Sequence, residues 1–136
     1  MKNTQENERI SADIIPLERA ALDRWGKGDI TAFTDISAEE VTYFDTDTER
    51  RVDGLEALKQ LYLPRAGKIK IERYDMLNPR VQAHGNTAVL TFNLIDHIPT
   101  SEGLIEEQWN ATEVYCRFNG QWKIIHTHWS HMRSTS

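Results

Sequence analysis

Apolar residues at helical spacing predict three helices in the first half of the chain. In the first helix they recur three and four residues apart, at Ile14, Leu17, Ala21 and Trp25. Its regular part should begin near Pro16, which the first turn of a helix tolerates, and end at Gly26. Asp29 can cap a short second helix over residues 29–33. A third helix precedes Pro64, with one apolar stripe formed by Leu55, Leu58, Leu61 and Tyr62.

The rest of the chain is predicted to form strands. Residues 41–45 are β-branched and aromatic, which indicates a first strand before the third helix. After Gly67 the pattern predicts strands over residues 68–73, 78–82, 87–98, 105–118 and 121–129. The Asn119-Gly120 pair between the last two strands is typical of a tight hairpin. Asp96 and His97, at the end of a strand, are expected to be a solvated entry to a loop.

This order of elements predicts an α+β domain. Three N-terminal helices should pack into a strongly curved antiparallel sheet, because the sheet must curl around the helices to bury one of its faces. The chain of 136 residues is long enough for one hydrophobic core. We assign residues 12–132 to this single domain. Residues 1–11 lack an apolar run and are expected to be a solvated tail.

Charge and composition narrow the classes of partner. Sixteen Lys and Arg stand against 21 Asp and Glu, and the resulting net charge of −5 disfavours binding to a nucleic-acid backbone. No stretch approaches the roughly 18 apolar residues of a membrane span. The single cysteine, Cys116, excludes an internal disulfide and a thiol-only metal site. We therefore expect a cytoplasmic protein that binds neither nucleic acid nor membrane.

Short motifs along the chain carry a family resemblance. In chain order they are Thr42-Tyr43-Phe44-Asp45, Gly54-Leu55, Asn78-Pro79, Gly120-Gln121-Trp122 and His126-Thr127-His128-Trp129-Ser130. Together they resemble the nuclear-transport-factor-like superfamily, a cone of curved sheet closed by three helices, over about residues 12–132. Within it the chain is most similar to the SnoaL-like branch and to the association domains of calcium/calmodulin-dependent protein kinase II. The fold is shared by enzymes, carriers and assembly modules, so it does not name a function.

Asp45 is the first candidate catalytic residue. It ends the first strand, and ketosteroid isomerases of the same superfamily carry an aspartate base at the matching place. A carboxylate at the mouth of an apolar cone can have a raised pKa and abstract a proton from carbon. The resemblance also implies a tyrosine and an aspartic acid as donors to the enolate oxygen, but the matching positions hold Ala21 and Val114. Asp45 is therefore a candidate general base, or a strand-end residue that hydrogen-bonds its own turn.

Glu113 is the second candidate. On a strand it shares one face with Trp109, Ala111 and Tyr115. If that face lines the cone, Glu113 is a buried acid among aromatic rings, which needs a proton or a partner. Arg80 or Arg117 could be that partner, in which case the residue forms a structural ion pair.

The resemblance also bears on the ligand. Kinase association domains place arginines in the cavity, whereas the matching positions here are Leu94, Glu113 and Trp129. Their lack of positive charge implies an apolar or cationic ligand, and aromatic rings around an acid suit a cation. Besides the two acids, the predicted pocket consists of Trp25, Tyr43, Leu58, Tyr62, Leu94, Trp109, Tyr115, His128 and Trp129.

The last strand leaves one question of orientation open. His126 and His128 face the same way, and Trp129 faces the other way. Either face could line the cavity, since a β-bulge would exchange them. The two histidines could join Glu113 in a zinc site, or they could lie on the face of the sheet that packs in an oligomer. We predict no metal and no cofactor.

Two functions follow from these features. The first is a small homo-oligomeric domain, a dimer at least, that binds a small apolar or cationic ligand or serves as an association module. An apolar outer face of the sheet would need such a partner, because large exposed apolar patches mark interfaces. The alternative is a cofactor-independent SnoaL-like isomerase, cyclase, dehydratase or hydrolase that uses Asp45 or Glu113 as general base.

Overall fold

The computed structural model describes residues 2–133 and shows an α+β domain. Helix α1 spans Lys2–Gly26 and helix α2 spans Leu55–Tyr62. The strands are β1 Ser37–Phe44, β2 Val52–Asp53, β3 Arg73–His84, β4 Thr87–Thr100, β5 Gly103–Phe118 and β6 Gln121–His131. No helix in this part of the chain is long and apolar enough to cross a membrane.

The six strands form one curved, unclosed sheet in the order β2-β1-β6-β5-β4-β3. Neighbouring strands are antiparallel except β1 and β6, which run parallel. The predicted curved sheet is confirmed, but it is mixed rather than wholly antiparallel. The short turn between β5 and β6 requires these two strands to run antiparallel. Strand β1 is far from β6 in the sequence, so no short connection fixes their relative direction.

The two α-helices cover the concave face of the sheet. From α1, Ile14 is fully buried, and from α2, Leu58 is buried in the same cluster. They meet inward-facing strand residues such as Leu90 and Ile124. Each fully buried side chain of this size stabilises the fold by about 1.5–3 kcal/mol.

Helix α1 begins earlier than the sequence predicts. Residues 1–11 were expected to be a solvated tail, but α1 starts at Lys2 and continues through Pro16. Two contacts anchor its first turns: Ile10 is buried, and the Asn7 Oδ1 atom accepts a hydrogen bond of 2.9 Å from the backbone N–H of Ala83. Pro16 costs the helix one backbone hydrogen bond, and these tertiary contacts offset that loss.

The predicted second helix is not an α-helix. Residues 29–33 form turns, followed by a single 3-10 turn at Thr34–Ile36. The Asp29 carboxylate accepts hydrogen bonds from the backbone N–H and the hydroxyl of Thr31, and from the guanidinium of Arg24. Asp29 therefore closes a local turn, which competes with helix initiation. Residues 2–133 therefore contain two α-helices, not three.

The strand predictions hold except at one segment. Helix α2 and the Asn119-Gly120 turn are confirmed, and both turn residues have the positive φ that a two-residue hairpin of this type requires. Residues 68–71, predicted as a strand, form no strand. They line the cavity instead, with the backbone N–H of Ile71 donating a hydrogen bond of 2.9 Å to the carbonyl of Gly26 at the end of α1, and β3 begins at Arg73.

Candidate functional site

A cavity of about 340 Å³ opens between the helices and the concave face of the sheet. Its size suits a small organic ligand. Helix α1 contributes Trp25, α2 contributes Tyr62, and the strands contribute Tyr43, Leu94, Trp109 and Trp129. All six were predicted as pocket residues, and the structure brings them together.

A chain of six aromatic rings forms one wall of the cavity. Ring centroids are 4.8–6.3 Å apart and adjacent rings meet edge to face, in the order Tyr43, Tyr62, Trp25, Phe33, Trp129, Trp109. Edge-to-face pairs of this kind each contribute about 0.5–1.5 kcal/mol beyond the burial of their area. The wall is therefore rigid, apolar, and suited to a flat or cationic molecule.

Asp45 lies at the cavity with its charge compensated. Its Oδ2 atom accepts a hydrogen bond of 2.8 Å from the Tyr43 hydroxyl and lies 3.7 Å from Nη2 of Arg65. Its Oδ1 atom accepts a bond of 2.7 Å from the backbone N–H of Asp47, so the carboxylate also caps its own turn. Burial, reinforced by Tyr62 and Asp45, raises the pKa of Tyr43, which therefore remains a hydrogen-bond donor. Both roles foreseen for Asp45 are thus compatible with its surroundings.

Asp96 is a second acid on the cavity wall, at a position where the sequence predicted a solvated loop. Asp96 and His97 were expected to be a solvated loop entry, but both lie within β4 and are buried. Asp96 faces the cavity, directly across from Glu107 of β5. Burial, aided by the charge of Glu107, raises the pKa of Asp96 to about 7. This carboxyl is therefore poised to gain or lose a proton near neutral pH.

Glu113 lies beneath the cavity rather than in it. It is on the inward face of β5, as predicted, but it is fully buried and its carboxyl group contacts that of Glu18 from helix α1. The Tyr115 hydroxyl donates a hydrogen bond of 2.7 Å to Glu18 Oε1. Neither Arg80 nor Arg117 neutralises Glu113; the Arg117 guanidinium instead packs over Trp122, 4.8 Å from the ring centroid.

The two acids form what we call the carboxyl pair, Glu18 and Glu113. Glu18 Oε2 and both oxygens of Glu113 have no well-aligned hydrogen-bond donor among the described residues, although the Thr127 hydroxyl lies close enough to Glu113 to favour its ionised form. Burial raises the pKa of each, and their mutual contact raises that of Glu113 further. Two buried carboxyls side by side cannot both ionise at low cost, so they share a proton. Glu113 is therefore a structural acid and no longer a candidate base.

Three other predicted pocket residues lie elsewhere. Leu58 and Tyr115 are in the core, below the cavity. His128 is exposed on the convex face of the sheet, with its ring 5.3 Å from that of Phe44. The register of β6 against β5 shifts at Ile125, so Ile124 and Trp129 both face inward although they are five residues apart. This bulge decides the open question of orientation in favour of Trp129.

The convex face of the sheet carries the two histidines of β6. His126 Nδ1 lies 2.7 Å from the Thr42 hydroxyl, and burial together with nearby His128 lowers the pKa of His126. Within residues 2–133 no group of three His, Cys, Asp or Glu side chains could hold a metal ion. Glu113, proposed as a third zinc ligand, is inside the core and so lies on the opposite side of the sheet.

Two site residues were missed although the sequence carried a signal for each. Glu18 falls on the apolar stripe of α1, four residues after Ile14 and four before Leu22, where a charged residue is anomalous. Asp96 continues the inward-facing series of β4, two residues after Leu94. In both cases an acid occupies a position whose nearest neighbours on the same face of the helix or strand are apolar.

Comparisons with known proteins agree with this fold. Residues 11–133 match the family model described as the calcium/calmodulin-dependent protein kinase II association domain. A candidate ketosteroid isomerase from Parabacteroides distasonis is similar to the chain at 39% identity and a TM-score of 0.79, covering 90% of this chain and 88% of that one. No curated protein matches the sequence significantly.

More distant structures share the fold alone. The association domain of the Caenorhabditis elegans kinase is 21% identical with a TM-score of 0.80, covering 92% of this chain and 98% of that one. A nuclear transport factor 2-like protein of unknown function from Pseudomonas putida is 20% identical with a TM-score of 0.80, covering 95% and 91%. From the match over residues 11–133, the chain belongs to the calcium/calmodulin-dependent protein kinase II association domain family, with a nuclear transport factor 2-like fold.

Proposed function

We propose that this protein is a self-associating domain that binds a small apolar or cationic ligand in the cone of its sheet. The observation that carries the ligand-binding part is the cavity of about 340 Å³, whose wall is a continuous chain of aromatic rings. Pockets that bind small molecules are mostly apolar, with a few polar groups that set orientation. Here Asp45 and Asp96 are those polar groups.

The convex face of the sheet supports self-association. Phe44, Val114, Ile125 and His126 are only half-buried on this face in a single chain, beside exposed His128. Relatives with the same fold are named as an association domain and a hub domain, and these names support the same role for this chain. A dimer that covers this face is the smallest assembly consistent with the proposal.

Val114→Asp is expected to weaken this assembly. The substitution places a carboxylate at the centre of the convex face, where a partner would leave it buried and unpaired. Such a charge typically costs 2 kcal/mol or more, so the dissociation constant should rise about 30-fold. Sedimentation velocity over a range of concentrations measures the shift. Ala57→Asp, on the exposed surface of α2, adds the same charge elsewhere and should leave the assembly intact. If Val114→Asp and Ala57→Asp sediment alike, the convex face is not the interface.

A specific observation favours proton transfer as a second candidate function. The relative that is 39% identical is named as a candidate ketosteroid isomerase, and Asp45 lines the cavity where such a base would lie. Tyr62 lines the same cavity, and burial raises its pKa, so it stays protonated. Together with the protonated form of Asp96 it could donate to an enolate oxygen, although the family's own donor positions hold Ala21 and Val114.

Asp45→Asn tests this second function. With a Δ5-3-ketosteroid as substrate, the parent should form the conjugated enone, and the variant should be about 10²–10⁴-fold slower because the base is lost. Absorbance of the enone follows the reaction. Glu49→Gln, which changes an exposed acid of the same loop that does not line the cavity, serves as the matched control and should retain the parental rate. A parent that shows no enone formation above buffer would leave binding as the better account.

A further inference from the structure

The two acids of the cavity differ in their counter-charges. Asp45 has Arg65 at 3.7 Å and a donated hydrogen bond from Tyr43. Asp96 forms no ion pair with a described residue; the uncharged Trp109 indole lies within hydrogen-bond reach of its carboxyl group, and Asp96 faces Glu107 from the adjacent strand. Side chains directly opposite in an antiparallel pair lie about 4.5–5.5 Å apart at Cβ. The Asp96 side of the cavity therefore has an excess of negative charge.

The basic residues at the cavity do not remove this excess. Arg65 is engaged with Asp45, while Lys68 and Lys70 are exposed at the rim, where their ammonium groups remain hydrated. His131, 3.8 Å from Glu107, is itself more than half exposed. None of these cations reaches Asp96, so a bound ligand is left to supply the positive charge.

The aromatic wall adds a second and independent feature. Trp109 and Trp129 meet edge to face, with centroids 6.2 Å apart, and both line the cavity together with Asp96. Indole rings are the best side-chain surfaces for a cation, through the negative face of the ring. Two neighbouring acids, Asp96 and Glu107, beside indole rings favour the binding of a cation over that of a neutral molecule of the same shape.

We propose that the ligand of this cavity is an organic cation, a protonated amine or quaternary ammonium on an apolar body, whose charge lies beside Asp96 and Glu107. This inference rests on the proposed ligand-binding function and names its chemical class. Asp96 is the specificity-determining residue, and Glu107 supports it from β5. The apolar body packs along the aromatic wall.

Binding should be coupled to a proton. Asp96 is partly protonated near neutral pH, because burial and Glu107 raise its pKa to about 7. A cation beside it favours the ionised form, so binding releases a proton and strengthens as the pH rises through about 7. The other groups that bear on Asp96 are His97 on its own strand and the Trp109 indole on β5, which both favour the ionised form, then Tyr74 on β3 and the rim lysines Lys68 and Lys70. Burial and its contact with Asp23 raise the pKa of Tyr74 to about 12, so it stays neutral over this range.

Three probes of one shape and different charge test the inference. Choline, 3,3-dimethylbutan-1-ol and 3,3-dimethylbutanoate present a branched apolar group with positive, neutral and negative charge. Titration of the purified protein, followed by its amide NMR spectrum, should show choline binding about tenfold more tightly than the alcohol, with shifts at residues of the aromatic wall. Choline affinity should rise between pH 6 and pH 8, and the affinity of the alcohol should not.

Substitutions of the two acids test where the positive charge of the ligand lies. Asp96→Asn should weaken choline binding about tenfold, remove its pH dependence and leave the affinity for the alcohol unchanged. Glu107→Gln should lower the affinity for choline by a smaller factor. Asp13→Asn, on the exposed face of α1, is the matched control. If the alcohol binds as tightly as choline, or the carboxylate binds best, the cationic class is overturned while the cavity remains a ligand site. If none of the three binds, the proposed ligand-binding function fails together with this inference.

Discussion

Replacing Glu113 with glutamine is expected to make the protein less sensitive to alkaline pH. In the parent, the carboxyl pair shares a proton, and burial holds the pKa of both acids above the ordinary value of 4.5. Above pH 4.5 the folded protein keeps a proton that the unfolded chain releases, so the free energy of unfolding falls as the pH rises. The fall amounts to about 1.4 kcal/mol for each pH unit up to the raised pKa. In Glu113→Gln the amide donates to the Glu18 carboxylate permanently, and this slope should largely disappear.

Urea unfolding at pH 5, 7 and 9 measures the effect. The variant should be close to the parent at pH 5 and clearly more stable at pH 9. Glu40→Gln, which removes an exposed acid of β1, should give a curve parallel to that of the parent. A Glu113→Gln protein that is less stable than the parent by a constant amount at all three values would show that no proton is shared.

Trp129→Ala is expected to cause the largest loss of stability at the cavity. The indole meets Phe33, Phe92 and Trp109 edge to face, with centroids 5.7–6.3 Å apart. Its Nε1–H group donates a hydrogen bond of 2.8 Å to the Thr127 hydroxyl. Removing a tryptophan that joins several elements typically costs about 3–5 kcal/mol. The free energy of unfolding from urea titration should fall by this amount, and choline should no longer bind detectably.

Trp129→Phe separates packing from binding. A phenyl ring keeps most of the edge-to-face contacts but loses the indole N–H group and part of the cation-binding surface. Stability should fall by less than half of the alanine effect, while choline affinity falls several-fold. A loss below about 1 kcal/mol for Trp129→Ala would mean that the site collapses to fill the space and that the aromatic wall is not rigid.

Most of the fold could be predicted from the sequence because its strongest signals are local. The apolar stripe of α2 and the Asn119-Gly120 turn each depend on residues that are close together in the chain. The start of α1 could not be predicted in this way, since Ile10 and Asn7 are ordered by contacts with the distant sheet. Likewise, residues 68–71 alternate like a strand but have no neighbouring strand to pair with.

Only part of the candidate site could be predicted from the sequence, because local patterns show which way a side chain faces but not what it meets. Inward faces follow from the period of two along a strand, which placed Trp109 on the face that lines the cavity, whereas Leu94 was predicted from the resemblance to kinase association domains. The bulge at Ile125 changes that period, and its position is set by pairing with β5 rather than by local sequence. Partners across elements, such as Glu18 for Glu113 and Arg65 for Asp45, depend on how α1 and α2 dock, and spacing along the chain carries no information about that.

The parallel pairing of β1 with β6 also has a consequence for the order in which the protein folds. The four strands β3 to β6 are joined by short turns and can pair through local hairpins, whereas Thr42 and His126 are 84 residues apart when β1 pairs with β6. Closing so long a loop costs entropy and slows folding, so we expect this pairing to form after the local hairpins. The cavity takes Asp45 from beside β1 and Trp129 from β6, so it exists only after this last joining step. A ligand would therefore stabilise only the completed fold, and its binding would report that the two ends of the domain have met.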